Sequence, residues 1–256
     1  MFYYIFVMTK QRRPHFGFTI RPTESEPTPA DPAQMTIPQL QEFVRQGNAS
    51  VLVDRVREAI RAVPWVSPNN WPVPVLQPSG DSCQVVAISN GIRAYQAVAG
   101  QEPWSAAPAQ AQVDPIRRRA GLHEKKSMAQ SNIAVAMQMR EEGLLEGSKI
   151  IANPIEAAEV MVNQRGFGVI ADAQEWHALT IVPNFPRFED TEGDVPEFIV
   201  IDSLDGEQRG MFVEEYINLC LDRNYEQDFQ RTFDESDELL VCRVIGDLAP
   251  AAESGE

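Results

Sequence analysis

The sequence is short of cysteine, histidine and positive charge, and each shortage excludes a class of protein. It holds three cysteines and three histidines in 256 residues. Cys83, Cys220 and Cys242 are too few and too scattered for a disulfide framework or a zinc cluster, so we expect a reducing compartment, no metal and no cofactor. Lys and Arg total 22 against 37 Asp and Glu, and this charge of −15 argues against a nucleic-acid partner.

Long apolar runs are also missing. The apolar stretch at residues 1–8 is too short to span a bilayer, and no basic segment precedes it as in a signal peptide. We therefore expect a cytoplasmic protein with no membrane partner. A secreted effector is the alternative. Nothing in the sequence indicates an oligomeric state.

Composition divides the chain into three parts. Residues 1–35 include a stretch rich in Pro, Thr and Glu, which predicts a flexible arm and linker. Residues 36–247 carry the helical and strand patterns, and they are numerous enough to form one domain with a sizeable core. Residues 248–256 are predicted to be a disordered acidic tail.

Helical patterns dominate the first part of the domain, and short β-branched stretches dominate the second. Helices are predicted at residues 39–46, 50–63, 83–99, 128–142, 154–164 and 211–221. Strands are predicted at residues 168–171, 176–182, 197–202 and 239–245. Residues 101–126 are predicted to be irregular. Helices followed by antiparallel strands indicate an α+β fold.

The stretch from residue 76 to residue 95 organises the rest of the chain. The stretch opens with residues that favour turns, and Cys83 follows them. After Cys83, apolar residues recur at the spacing of an amphipathic helix. Asp81 or Ser82 is the predicted N-cap, and Gly100 is the predicted stop. Cys83 then lies in the first turn, where unpaired backbone N–H groups and the helix dipole favour a thiolate, the nucleophilic form.

A catalytic thiolate needs an imidazole that accepts and returns a proton. The three histidines offer few choices. His15 lies in the N-terminal arm and His123 in a charged loop, whereas His177 begins an apolar strand that can hold its ring in one orientation. His177 is therefore the candidate general base.

The imidazole needs an orienting group, and the developing oxyanion needs donors. Asp202 ends the strand that follows His177 and is the candidate orienter, with Asp205 and Asp172 as alternatives and a purely structural turn role also open. Gln77 is separated from Cys83 by five residues. It can donate a side-chain N–H to an oxyanion, with the Cys83 amide as its partner.

This order of motifs resembles that of papain-like cysteine peptidases. They share Gln-x5-Cys at a helix start, His on a strand, and Asp or Asn at the end of the next strand. The closer likeness is to bacterial papain-fold members in which Asp replaces the Asn of papain. The phrases QPSGDSCQVVAIS, WHALTIV and FIVIDSL also resemble motifs of ubiquitin-like-protein proteases, which carry them in the opposite chain order.

The resemblance implies a papain-like α+β fold over residues 36–247. An N-terminal helical part would pack its nucleophile helix against a C-terminal antiparallel sheet. It also implies a cysteine peptidase with the catalytic residues Cys83, His177, Asp202 and Gln77, acting on a protein or peptide that could be a ubiquitin-like-protein tail.

Other interpretations stay open. The same catalytic group serves acyltransferases and transglutaminase-like enzymes, and the fold could also be a catalytically silent binding module. Trp71 and Trp176 are candidate substrate-binding residues, with core packing as the alternative. Cys220 and Cys242 are expected to be core residues.

Overall fold

An antiparallel sheet lies at the centre of the structure, which is a computed structural model. It describes residues 31–78, 82–104, 106–121, 128–164, 166–172, 177–185, 195–222 and 239–244. These ranges all belong to one compact unit, Asp31–Glu256. Within them, none of the helices combines the length and the apolar character that a membrane crossing requires.

The described part of the sheet has six strands. They are β1 (Leu145–Ile151), β2 (Gly166–Asp172), β3 (His177–Pro183), β4 (Phe198–Asp202), β5 (Gln208–Met211) and β6 (Leu239–Val244). Their order is β1-β6-β2-β3-β4-β5, and every neighbouring pair is antiparallel. Strands β2 to β5 pair in chain order, and β6 returns to lie between β1 and β2. The predicted α+β class and antiparallel sheet are confirmed.

Seven α-helices occur in the described ranges. They are α1 (Ile37–Phe43), α2 (Ala49–Arg61), α3 (Cys83–Val98), α4 (Ala106–Arg119), α5 (Met128–Glu141), α6 (Pro154–Asn163) and α7 (Val213–Asp222). A wide turn, Val44–Asn48, joins α1 to α2. Six of these helices were predicted to within a few residues.

The prediction that residues 101–126 are irregular is wrong, because α4 lies there. Val113, Ile116 and Ala120 are buried at helical spacing, while Pro115 sits inside the helix and disguises the pattern. Three arginines fill its last turn, where cations interact favourably with the helix dipole.

Residues 31–35, which were predicted to belong to the flexible arm, are ordered and contact the domain. Pro32–Gln34 forms a short 3₁₀ turn, whose N-cap Asp31 accepts a hydrogen bond from the Ala33 amide. Arg55 forms an ion pair with the same carboxylate. The side-chain amide of Asn153 donates hydrogen bonds to the carbonyls of Pro32 and Met35. Residues 1–30 of the predicted arm and the predicted tail at residues 248–256 lie outside the described residues.

Helix α3 has the predicted bounds but not the predicted surroundings. Ser82 is its N-cap, and Gly100 has φ +67 after the last turn, as a glycine stop requires. The helix was predicted to be amphipathic, yet Gln84, Ser89 and Asn90 are buried along with its apolar residues. It is therefore a central helix, covered on its polar side as well.

The cover on the polar side is the extended segment 72–77, called the strip below. Asn90 donates to the Val75 carbonyl at 3.0 Å and accepts from the Val75 amide at 2.7 Å. Arg93 donates to the carbonyls of Val73 and Trp104. Buried polar groups need such partners, so backbone of the strip and of the loop after α3 replaces the water that an amphipathic helix would face.

The opposite side of α3 packs on the sheet. The Thr180 hydroxyl of β3 donates to the Ala87 carbonyl at 2.6 Å. A Cβ on Gly91 would lie 2.2 Å from two ring carbons of Phe167 in β2, so the helix approaches the sheet closely only because residue 91 lacks a side chain. Helix α3, which begins at Cys83, therefore packs against the sheet.

Candidate active site

His177 and Asp202 are brought together by strand pairing. Strands β3 and β4 are antiparallel, and Asp202 lies opposite Leu179, two residues from His177. Both side chains are therefore at the same end of the sheet. The Nε2 atom of His177 lies 2.6 Å from Oδ1 of Asp202, and the His177 side chain is 5% exposed. The contact anticipated from the motif order is present.

The Asp202 carboxylate also holds the turn that follows it. Its Oδ1 accepts a hydrogen bond from the Leu204 amide at 2.7 Å. The turn role and the histidine contact, which were alternatives in the sequence, are thus carried by the same oxygen.

The two alternative orienters have other surroundings. Asp205 accepts a hydrogen bond from the Glu207 amide at 2.8 Å, within its own turn. Asp172 pairs through its backbone with His177, and its side chain lies outside what the structure describes. Asp202 is therefore the carboxylate with a described contact to the ring.

This contact fixes which ring nitrogen is left for other chemistry. A carboxylate accepts hydrogen bonds, so Nε2 of His177 carries the proton that Asp202 binds. The neutral ring then presents the lone pair of Nδ1 as a proton acceptor. A nucleophile served by this histidine must therefore approach Nδ1.

Gln77 is attached to the same turn. The backbone amide of Gln77 donates to the Ser203 carbonyl at 2.9 Å. The buried Ser203 hydroxyl donates to the side-chain oxygen Oε1 of Gln77 at 3.4 Å. With its oxygen engaged, the side chain directs its NH₂ group elsewhere. Ser203 was missed by sequence reasoning, and the one signal for it was its position directly after Asp202.

The strip sets the direction of Gln77 relative to α3. Val73 contacts Arg93, and Val75 contacts Asn90, so the strip runs antiparallel to the helix. Continuing in that direction, Gln77 lies towards the end of α3 where the helix begins.

The packing of α3 on the sheet sets the direction of Cys83. Gly91 faces Phe167, which is level with the far end of β3, and Ala87 binds Thr180 in the middle of β3. Cys83 lies one turn before Ala87, about 6 Å along the axis, in the direction of His177. The helix start, Gln77 and the His177–Asp202 pair thus share one end of the fold, while the catalytic roles themselves stay a prediction.

Cys83 and His177 are both buried, with 2% and 4% of their surfaces exposed. Burial strengthens electrostatic interactions between such groups. A nucleophile has to meet its substrate, so the accessibility of the Cys83 thiol is the decisive property of the site.

The other candidate residues lie away from this arrangement or outside the described residues. Trp71 is half-buried and packs against the core, and its role in substrate binding stays a prediction. Trp176, His15 and His123 lie outside the described residues. Cys220 is buried in α7, as expected. Among the residues that the structure describes, no three His, Cys, Asp or Glu side chains form a metal-ligating group.

A groove of about 630 Å³ lies elsewhere, lined by Asp31, Met35, Arg55, Asn153 and Glu159 among others. The hydrogen bond that Arg55 donates to Asp31 lowers the pKa of Asp31, and the hydrogen bond that it donates to Glu159 raises the pKa of Arg55. The charged side chains of this groove are therefore paired with one another. None of the predicted catalytic residues lines the groove.

Comparison of the chain with protein-family models, with curated proteins and with solved structures finds no match. The geometry and the chemistry of the site are therefore the basis for assigning a function.

Proposed function

We propose that this protein is a cysteine hydrolase of the papain-like type, most simply a peptidase. Cys83 is the nucleophile, His177 the general base and acid, Asp202 the orienting group, and Gln77 an oxyanion donor. The observation that carries the proposal is the 2.6 Å contact between His177 Nε2 and Asp202 Oδ1, at the end of the sheet towards which α3 directs Cys83. A reducing cytoplasm suits this chemistry, because it keeps the thiol reduced.

In the proposed reaction, the proton of the Cys83 thiol passes to Nδ1 of His177, and the thiolate attacks the carbonyl carbon of the scissile bond. The negative charge that forms on the carbonyl oxygen is stabilised by the Gln77 NH₂ group and the Cys83 amide. His177 then returns the proton to the leaving amine, and the thioester remains on Cys83. Water, deprotonated by His177, then attacks the thioester carbonyl, the C–S bond breaks to release the acid, and His177 returns the proton to the sulfur of Cys83.

A buried His–Asp pair occurs in purely structural roles as well as in catalytic ones. Its surroundings support the catalytic interpretation. One turn, residues 202–205, binds His177 through Asp202 and Gln77 through Ser203. An orienting carboxylate and an amide donor are thereby fixed relative to each other, which is what acyl chemistry requires.

Acyl transfer to an amine is a second candidate function, favoured by the burial of Cys83 and His177. Exclusion of water protects a thioester from hydrolysis, so an amine could compete for it. Incubation of the protein with a labelled primary amine and a glutamine- or peptide-containing acyl donor separates the two reactions. Attachment of the label indicates transfer, and release of the acid indicates hydrolysis.

Replacing Asp202 tests the orienting role. Asp202→Ala removes the acceptor for the Nε2 proton and should lower kcat by about tenfold to a hundredfold with little change in KM. The matched control is Asp202→Asn, which keeps an oxygen for both His177 and the Leu204 amide and should retain most of the activity. Equal kcat in the wild type and Asp202→Ala, measured on a peptide that the wild type cleaves, would contradict this role.

A further inference from the structure

Three exposed apolar side chains lie on the two segments that adjoin the proposed site. Val73 and Leu76 in the strip are 76% and 51% exposed, and Leu204 in the turn after Asp202 is 57% exposed. Within the described ranges, the other strongly exposed large apolar residues, Val51 and Met137, lie singly on α2 and α5. Single exposed apolar residues are ordinary, whereas a group beside a site indicates a binding surface. We call Val73, Leu76 and Leu204 the rim patch.

The rim patch is continuous with the catalytic groups. Gly206, in the turn with φ +80, lies so close to Leu76 that an added Cβ would come within 2.9 Å of its Cδ2 atom. The backbone amide of Gln77 donates to the Ser203 carbonyl, and the side chain of Gln208 donates to the Pro72 carbonyl at 2.8 Å. The strip and the turn are therefore joined along their length. Leu76 directly precedes the proposed oxyanion donor, and Leu204 follows the orienting Asp202 by two residues.

The charge beside the rim patch is negative. The strip has no charged residue. Asp205 in the turn and Glu207 shortly after it are both exposed, and Arg209 is the basic residue that follows them in β5. The whole chain has a formal charge of −15. A ligand that covers the rim patch therefore gains from positive charge next to its apolar group.

We propose that the rim patch binds an aliphatic side chain of an extended peptide substrate, at a position next to the cleaved bond, and that a lysine or arginine of the same substrate faces Asp205 and Glu207. This inference rests on the proposed function and names its substrate class. An extended segment fits because Cys83 and His177 are buried, so a single chain has to carry the carbonyl to the sulfur while its neighbouring side chains remain on the rim.

The experiment is cleavage-site profiling of a pool of randomised synthetic peptides by the full-length protein, with Cys83→Ala as the blank. The wild type should prefer Leu, Ile or Val over Asn at one position beside the cleaved bond by about tenfold in kcat/KM. In Leu76→Asn/Leu204→Asn this preference should fall to about twofold. Asp205→Asn/Glu207→Gln should reduce the preference for Lys and Arg and leave the aliphatic preference intact.

Val51→Asn, a similarly exposed apolar position on α2, is the matched control and should change neither preference. Thermal unfolding of each variant verifies that it is folded, and Leu204→Asn alone provides a second test if the double variant is unstable. Cys83-dependent cleavage without an aliphatic preference, or with one that survives in folded Leu76→Asn/Leu204→Asn or Leu204→Asn, would overturn this inference and leave the proposed function standing. Absence of Cys83-dependent cleavage by the wild type would overturn both.

Discussion

Replacement of Cys83 by alanine is expected to abolish turnover while the fold is retained. Alanine has no sulfur to form the thioester, and loss of a nucleophile typically lowers kcat by about a thousandfold or more. Alanine also suits the first turn of a helix, and the change removes one buried atom, so we expect a loss of about 1 kcal/mol in the free energy of unfolding. The measurement is kcat on a cleaved peptide, together with thermal unfolding.

Cys220→Ala is the matched control for this experiment. Cys220 is also buried, but it lies in α7, and its replacement should leave kcat unchanged. A folded Cys83→Ala variant with the activity of the wild type would show that the nucleophile is another group. Equal loss in both variants would indicate a general effect of removing a buried sulfur.

Gly91→Ala is expected to destabilise the fold strongly, although alanine is the better helix former. A Cβ at residue 91 would lie 2.2 Å from the fully buried ring of Phe167, so the ring must change its position or α3 must move away from the sheet. Overpacking of this kind typically costs about 1–3 kcal/mol, sometimes more. It exceeds the gain of about 1 kcal/mol in helix propensity. Chemical denaturation measures the difference.

The double variant Gly91→Ala/Phe167→Leu separates this clash from other effects. Leucine removes ring atoms from the space that the new Cβ needs, so the double variant should be less destabilised than the sum of the two single variants. Additive losses would show that residues 91 and 167 are not in contact. A Gly91→Ala protein more stable than the wild type would contradict the close approach of α3 to the sheet, and with it the direction assigned to Cys83.

The bounds of α3 could be predicted because they depend on local signals, whereas its burial could not. Ser82 and Gly100 act within one turn of the helix ends. Asn90 and Arg93 appeared to face water because their partners, the carbonyls and amides of the strip, carry no signal in the side-chain pattern. A polar residue on a helix is compatible with solvent or with buried backbone, and periodicity alone does not distinguish them.

Elements with weak or disguised periodicity were missed. In α4, Pro115 interrupts an otherwise helical pattern of buried residues. Strand β1 contains Gly147, where its register with β6 shifts, and an edge strand of this kind does not alternate cleanly between apolar and polar residues. Strand β5 has four residues, too few for a period to be recognised.

The site could be predicted in part, because only some of its contacts depend on signals that are local in the sequence. His177 and Asp202 end up together because β3 and β4 are consecutive antiparallel strands, so the start of β3 lies beside the end of β4. The contact between Ser203 and Gln77 joins residues 126 positions apart, and no local pattern marks it. Residues in consecutive strands could thus be paired from the sequence, whereas the link between the strip and the turn required the three-dimensional fold.

The most direct test of the central claim is the rate at which iodoacetamide alkylates Cys83, followed residue by residue with mass spectrometry in the wild type and in His177→Ala. We expect Cys83 of the wild type to react about tenfold or more faster than a cysteine in a short peptide at the same pH, because the imidazole and the helix start stabilise the thiolate. We also expect His177→Ala to remove this excess. A rate no faster than that of the peptide, or a fast rate that persists in His177→Ala, would contradict the pairing of this sulfur with this imidazole.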